Sequence, residues 1–379
     1  MKKKLYILVL AYLAICALMS AIKGSVAIAM FGLLVFLLIL LVTFWFANKF
    51  VKTTLWYKST IPDMSLYPTN EWYREHLERN FDVVNIGSSS AKYAFDYSGL
   101  PVKAFNWGEQ PQLLSNGFKV LKTYFSILKE NGTVIISLCP LSGLDVEGKW
   151  DRTVNDKYYY TLPCELIDDY KAVSRRRKYP LLYLPKLSIK SIIKEVQKQK
   201  TKAGKTQPDK CFIDDSKIWV ENWMSQFGID ELNAPLSPVN LKGQGKRIVL
   251  LTDILSFCME RSLRPVIVIP PMHKSLSNKF TPTFRDNYIY PFIRKANTHN
   301  VLFLNYMDDE RFDDERYFRN SFFMSEEGAR KFTRIVLKDL HILWESGYWR
   351  FLWIKITEAY CRHTRCRLCW NVWGTRCVW

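Results

Sequence analysis

The sequence predicts an α/β fold built on a parallel sheet and tethered by apolar N-terminal helices, and three observations carry that reading. Short apolar runs alternate with helix-length stretches over residues 81–340, the spacing of a parallel sheet covered on both faces. Residues 5–22 and 26–47 carry no charge at all. The first strand-like run ends at Gly87-Ser88-Ser89-Ser90, a glycine turn with serines suited to starting a helix.

At about 1.5 Å per residue, each apolar run is long enough to cross a hydrocarbon core of about 30 Å. Lys23-Gly24-Ser25 between them reads as a tight turn, so residues 1–52 form a membrane anchor. It is a hairpin of two helices, or a single helix if the first run is removed as a signal peptide. Lys2, Lys3 and Lys4 favour a cytoplasmic N-terminus, while Lys49, Lys52 and Lys58 favour a cytoplasmic end for the second run. A hairpin satisfies both and leaves the globular part inside; a single span places it outside. The expected location is a cell membrane, the bacterial inner membrane, with the lipid bilayer as first partner.

A polar connector, 53–80, leads to the strand Phe81–Ile86 and then to a helix over 91–97. A helix over 113–129 ends at Asn131-Gly132, and 133–138 reads as a buried strand. Helix 247–261, strand 266–269, helix 284–298, strand 301–304 and a closing helix over 325–340 complete a domain of 81–343. A long insert, 143–245, interrupts it; within that insert, 186–210 reads as an exposed basic helix fading into a loop.

The chain of 379 residues has a net charge of +18, a field that attracts nucleic acid, anionic lipid or acidic polymer alike. The cations gather beside the apolar runs, at 175–178 and along 186–210, with no RNA-recognition, KH or zinc-finger pattern. No nucleic-acid partner is therefore expected, and a membrane surface or envelope glycan suits the layout better. Nine scattered cysteines imply no disulfide framework. Cys361, Cys366, Cys369 and Cys377 lie in a Trp-, Cys- and Arg-rich stretch without helical or strand period. An irregular tail over 344–379, or out-of-frame translation past an end near Leu343, is expected there rather than zinc, and no metal or cofactor is expected elsewhere. There is no phosphate-binding Gly-Lys-Ser/Thr loop, dinucleotide glycine fingerprint or His-Glu-x-x-His, so nucleotide hydrolysis, nicotinamide chemistry and zinc proteolysis lack their usual handles.

The serine turn is the strongest chemical signal. A hydroxyl at the carboxyl end of the first parallel strand faces the crevice where α/β proteins bind ligands, and amides at a helix start can stabilise an oxyanion. Helix capping alone accounts for the same serines. Asn85-Ile-Gly-Ser-Ser-Ser90 resembles the first block of the SGNH/GDSL hydrolases, Phe105-Asn-Trp-Gly-Glu-Gln-Pro-Gln112 is similar to the second, and the stretch from Phe318 to Phe332, with Gly328, looks like the last. In layout the chain resembles the D-alanyl transfer protein of teichoic acid operons and anchored proteins of polysaccharide loci.

The resemblance implies a three-layer α/β/α, flavodoxin-like sheet with Ser89 as nucleophile. It also implies that Gly87, Ser88, Gly108 and Asn320 line the oxyanion and substrate site. The implied activity is that of a serine esterase or O-acyltransferase on acylated cell-envelope polysaccharide, using an acylated glycan or acyl-carrier donor and a membrane-bound acyltransferase partner. The alternative is an inactive binding or assembly partner of the same fold. The last block departs from the family's Asp-x-x-His, with Asn320 and Phe323 at those positions, and no asparagine stands in the third block near 137–143. His273, after the strand 266–269, is the candidate replacement base, and Asp308 and Asp309 share its rim.

Overall fold

Aliphatic and β-branched runs supply the strands of a five-stranded, all-parallel sheet. The computed structural model describes residues 12–15, 18, 26–59, 80–144, 152–200 and 211–343. In chain order its main elements are α1 (Val26–Thr53), β1 (Phe81–Ile86), α2 (Ser89–Ala94), β2 (Ala104–Asn106), α3 (Leu114–Tyr124), β3 (Leu128–Ser137), α4 (Tyr170–Lys178), α5 (Pro185–Lys200), α6 (Phe212–Phe227), α7 (Pro238–Glu260), β4 (Arg264–Ile269), α8 (Tyr290–Ala296), β5 (Phe303–Asn305) and α9 (Glu326–Asp339). Most of the first apolar run, the second part of the connector, the end of the basic loop and the tail lie outside the described residues.

The described residues fall into two units, one of those up to 59 with 152–200, the other of 80–144 with 211–343. In the second unit the strand order is β2-β1-β3-β4-β5, the doubly wound order of flavodoxin-like folds. Side chains alternate across the sheet. Val83, Ile135, Val266 and Val268 meet Phe332, Val336 and Leu337 of α9 and Ala94 of α2 on one face. The buried residues Val84, Ile86, Val134, Ile136, Ile267 and Ile269 occupy the other, where α3 packs on β1 and α7 on β4. Phe257 of α7 joins that layer together, with Phe118 and Phe125 at 5.5 and 5.4 Å. The result is three layers, with Gly87 and the loop after β4 at the carboxyl edge of the sheet.

Several boundaries differ from the sequence expectation for physical reasons. The helix expected over 113–129 ends at Tyr124, passes through a 3₁₀ turn, and β3 begins at Leu128. Asn131, at φ 58°, and Gly132 lie within a bulge of β3, where pairing with β1 shifts between Phe81 and Val83. Their turn chemistry marks that bulge rather than a helix end. The helix expected over 284–298 opens into a wide turn at Arg285–Ile289 before α8. Pro291 lacks an N–H and crowds the carbonyl four residues back, which widens the preceding turn. α7 starts at Pro238, capped by the Ser237 hydroxyl accepting from Asn240 N at 3.2 Å, so it absorbs the end of the insert.

The insert is not one element. Residues 152–200 belong to the unit of α1, and the remainder that is described, from Cys211, belongs to the sheet unit. α1 is long and apolar enough to cross a membrane over Met30–Thr53, about six residues beyond the expected end, and a short helix Leu55–Ser59 follows it in the connector. Tyr12 stacks on Phe36 with ring centroids 4.1 Å apart and donates to Gly32 O, so the described part of the first run lies against α1. At the other end of α1, Asn48 donates to Lys178 O at 3.0 Å and accepts from Leu181 N at 3.3 Å. Nearby, Arg176 makes a bidentate pair with the buried carboxylate of Asp156 at 2.7 and 3.1 Å, and Tyr57 donates to Arg177 O at 2.9 Å.

Candidate functional site

Extension of β1 to Ile86 delivers Gly87 to the carboxyl edge of the sheet, at the reversal of strand order between β1 and β3, where doubly wound folds bind ligands. Gly87 has φ 149°, and a Cβ there would meet Ser137 O at 2.5 Å and Ala91 Cβ at 2.8 Å. Only glycine lets the chain turn so close to β3 and enter α2 at once. Ser88 and Ser89 are half-buried at the start of α2, and Ser90 is buried. Ser88 Oγ accepts from Gln112 N at 3.3 Å. Neither the half-buried Ser89 hydroxyl nor the buried Ser90 hydroxyl has a hydrogen-bond partner among the described residues.

Three side-chain amides that the sequence leaves without a role organise this turn. Gln112 accepts from Gly87 N and donates to Trp107 O, both at 2.8 Å. Asn85, fully buried, donates to Asn106 Oδ1 at 2.7 Å. Asn106 in turn donates to Phe95 O at 2.8 Å and accepts from Gly108 N at 2.9 Å. The Gly87 and Gly108 amides therefore already have partners. Gly108 lies so close to α2 that a Cβ would stand 2.7 Å from Lys92 N. Beside it the buried carboxylate of Glu109 pairs with Lys92 Nζ at 2.8 Å. The signal for this network was in the sequence as amides within both turn segments, but their partners are 21 to 25 residues away.

The loop that carries Asn320 and Phe323 reaches Tyr93 of α2 by another route. Asn320 Oδ1 accepts from Phe322 N at 3.0 Å and Phe323 N at 2.6 Å, so its side chain forms the turn that aims both rings inward. Phe323 packs against Tyr93 of α2 at 4.7 Å and against Trp219 of α6 at 5.2 Å. Phe322 packs against Trp219 and Trp223 at 5.0 and 4.9 Å. Tyr93 is one helical turn beyond Ser89 on α2, so this aromatic cluster reaches the helix that carries Ser89. Asp215 of α6 holds the loop by accepting from Ser321 N at 2.8 Å and from the Ser321 hydroxyl.

His273 follows β4, two strands away from β1. Its Nδ1 lies 2.8 Å from Ser275 Oγ, its Nε2 lies 3.9 Å from Glu315, and its ring is stacked on Phe212 at 4.2 Å. Both nitrogens thus face residues other than Ser89. Asp308 pairs with Arg285 at 2.9 Å and Asp309 with Arg311 at 2.6 Å, so each carboxylate is held by an arginine. Burial pushes the Cys139 thiol, at the end of β3, above its ordinary range, which leaves it protonated and inert near neutral pH. Among the described residues no cluster of metal-ligating side chains occurs.

Burial also pushes the His273 imidazole below its usual range, the nearby Lys274 adding to this and Glu315 opposing it. The unfolded chain then binds a proton more readily than the folded one. Stability is expected to be fully present above about pH 6.5 and to fall as pH drops through the lower folded value. Urea midpoints at pH 7.5 and 5.5 check this: H273N, which keeps a side chain able to cap the next helix, should show the smaller fall.

Comparison with known proteins adds no relative: no family model matches the chain, and no curated protein matches its sequence.

Proposed function

We propose that this chain is a membrane-anchored, SGNH-like binding or assembly partner in envelope polysaccharide biosynthesis, recognising an acylated glycan rather than cleaving it. The observation that carries this reading is Phe323, packed on Tyr93 at the position the family resemblance assigns to the general base. A serine hydroxyl without a base is a poor nucleophile at neutral pH, and loss of a triad member removes several orders of magnitude of rate. His273 does not supply the base, because both of its ring nitrogens face other groups. The turn amides that would stabilise an oxyanion are likewise engaged at Gly87 and Gly108. What remains is the carboxyl edge of the sheet at the switch point, with a half-buried hydroxyl and an aromatic cluster on the same helix, suited to presenting a ligand to a membrane-bound acyltransferase partner.

A second reading, a serine esterase or O-acyltransferase, is favoured by one feature. Ser89 keeps an unengaged hydroxyl at the start of α2, on the rim where the chemistry would occur. The two readings separate on p-nitrophenyl acetate turnover by the full chain in detergent, measured beside S89A. Equal background rates are expected. Hydrolysis that disappears in S89A would establish the esterase reading and overturn the binding one.

A further inference from the structure

We propose that α5 and the turn before it form an interfacial collar that binds the anionic phospholipid headgroups of the membrane crossed by α1. The proposal is independent of the chemistry at Ser89 and rests on α1 being a membrane span.

The collar follows from how α5 divides its faces. Ser188 and Ser191, at 0 % and 4 % exposure, are the residues it turns inward, and small side chains allow the close approach. Its carboxylate, Glu195, is turned toward Leu55 N at 3.5 Å. The remaining surface is apolar and cationic together. Ile189, Ile193 and Val196 recur at helical spacing and stay 45, 50 and 43 % exposed, while Lys186, Lys190 and Lys194 form an adjoining exposed stripe. The sequence has no acidic residue over 170–194. An exposed apolar stripe beside a lysine stripe is the pattern of a helix lying in a bilayer interface, with the apolar side chains entering the acyl boundary and the ammonium groups meeting phosphate.

The occupant is fixed by continuity with the span. Asn48, near the end of the apolar stretch, is hydrogen-bonded to Lys178 O and Leu181 N, and α1 packs on the short helix Pro180–Tyr183 and on α5. The collar is thus held where α1 leaves the hydrocarbon core. Tyr179 and Tyr183, 49 and 44 % exposed, and Trp45 beneath the Lys49 ammonium at 5.2 Å, are the amphipathic rings that settle at headgroup level. A water-soluble protein partner would have to cover the same surface while avoiding the bilayer beside it, whereas an anionic leaflet satisfies both its charge and its apolar stripe.

Hydrogen exchange of the full chain in nanodiscs tests the collar. Discs of phosphatidylcholine alone are compared with discs containing phosphatidylglycerol. Amides of 185–200 are expected to exchange about tenfold more slowly in the anionic discs, since each lysine near such a surface is attracted to it. The triple variant K186Q/K190Q/K194Q should lose that difference, and I189S/I193S should lose protection in both discs. Amides of α4, in the same unit as α5, serve as the folding control. If a variant unfolds, the comparison of the two lipids with the unaltered chain decides alone. Equal exchange in both discs overturns the proposal, as does lipid-dependent protection that survives loss of the three lysines.

Discussion

The double variant N320D/F323H is expected to raise ester hydrolysis by the full chain about 100-fold over background, with the gain abolished by S89A. General base catalysis by a positioned imidazole contributes about 10²–10⁴-fold. The lower end applies here because the Gly87 and Gly108 amides are already engaged and the oxyanion is less well served. The substitution suits the local architecture. Asn320 acts through an oxygen that accepts two backbone N–H groups, a role that aspartate keeps. Phe323 is 6 % exposed and packs on Tyr93, so a smaller imidazole opens space beside Tyr93, one helical turn from Ser89. The rate should rise with pH as the imidazole deprotonates. A double variant that folds and shows no Ser89-dependent gain would mean that this loop does not address Ser89, and the likeness of the last block would fail with it.

G87A carries the largest stability effect expected at the site, a loss of about 3 kcal/mol or more. Two costs combine. The backbone is at φ 149°, which side-chain-bearing residues rarely adopt, and the new Cβ would meet the Ser137 carbonyl at 2.5 Å and Ala91 Cβ at 2.8 Å. Neither neighbour is a flexible side-chain end, since one is strand backbone and the other a methyl fixed on α2, so relief requires α2 to move from the sheet. At about 2–4 °C per kcal/mol for a unit of this size, the thermal midpoint should fall by about 10 °C. Near-ultraviolet circular dichroism of the detergent-solubilised chain measures it. A midpoint within about 2 °C of the unaltered chain would show that α2 does not sit against β3 as described.

Much of the sheet was legible because its cause is local. The apolar runs at 133–138 and 266–269 are bounded by turn residues and have no helical alternative of their own length. Their partners are equally apolar, so the sheet assembles on burial alone. The short strand Ala104–Asn106 and the start of α7 escaped detection because neither is periodic. β2 is three residues fixed by pairing with β1, and the Gly-rich first turns of α7 depend on a cap at Ser237. The basic helix of the insert was legible as a helix, but its association with α1 was not. Ser188 and Ser191 carry no signal of what they face, and Asn48 lies 130 residues before the carbonyl it binds.

The candidate site divides in the same way. By itself the sequence determined the alternation that builds a parallel sheet, the apolar span, the glycine turn bearing Ser89, and the absence of an Asp-x-x-His over residues 318–332, since each is a property of residue type within a short window. Only the tertiary structure decided that the Gly87 and Gly108 amides are spoken for by Gln112 and Asn106, that His273 faces Ser275 and Glu315, and that Phe323 meets Tyr93. Those outcomes depend on which strands and loops are neighbours in space. Hydrogen bonds and ring contacts form between groups within a few ångströms, whatever their separation along the chain, and no local pattern encodes that proximity.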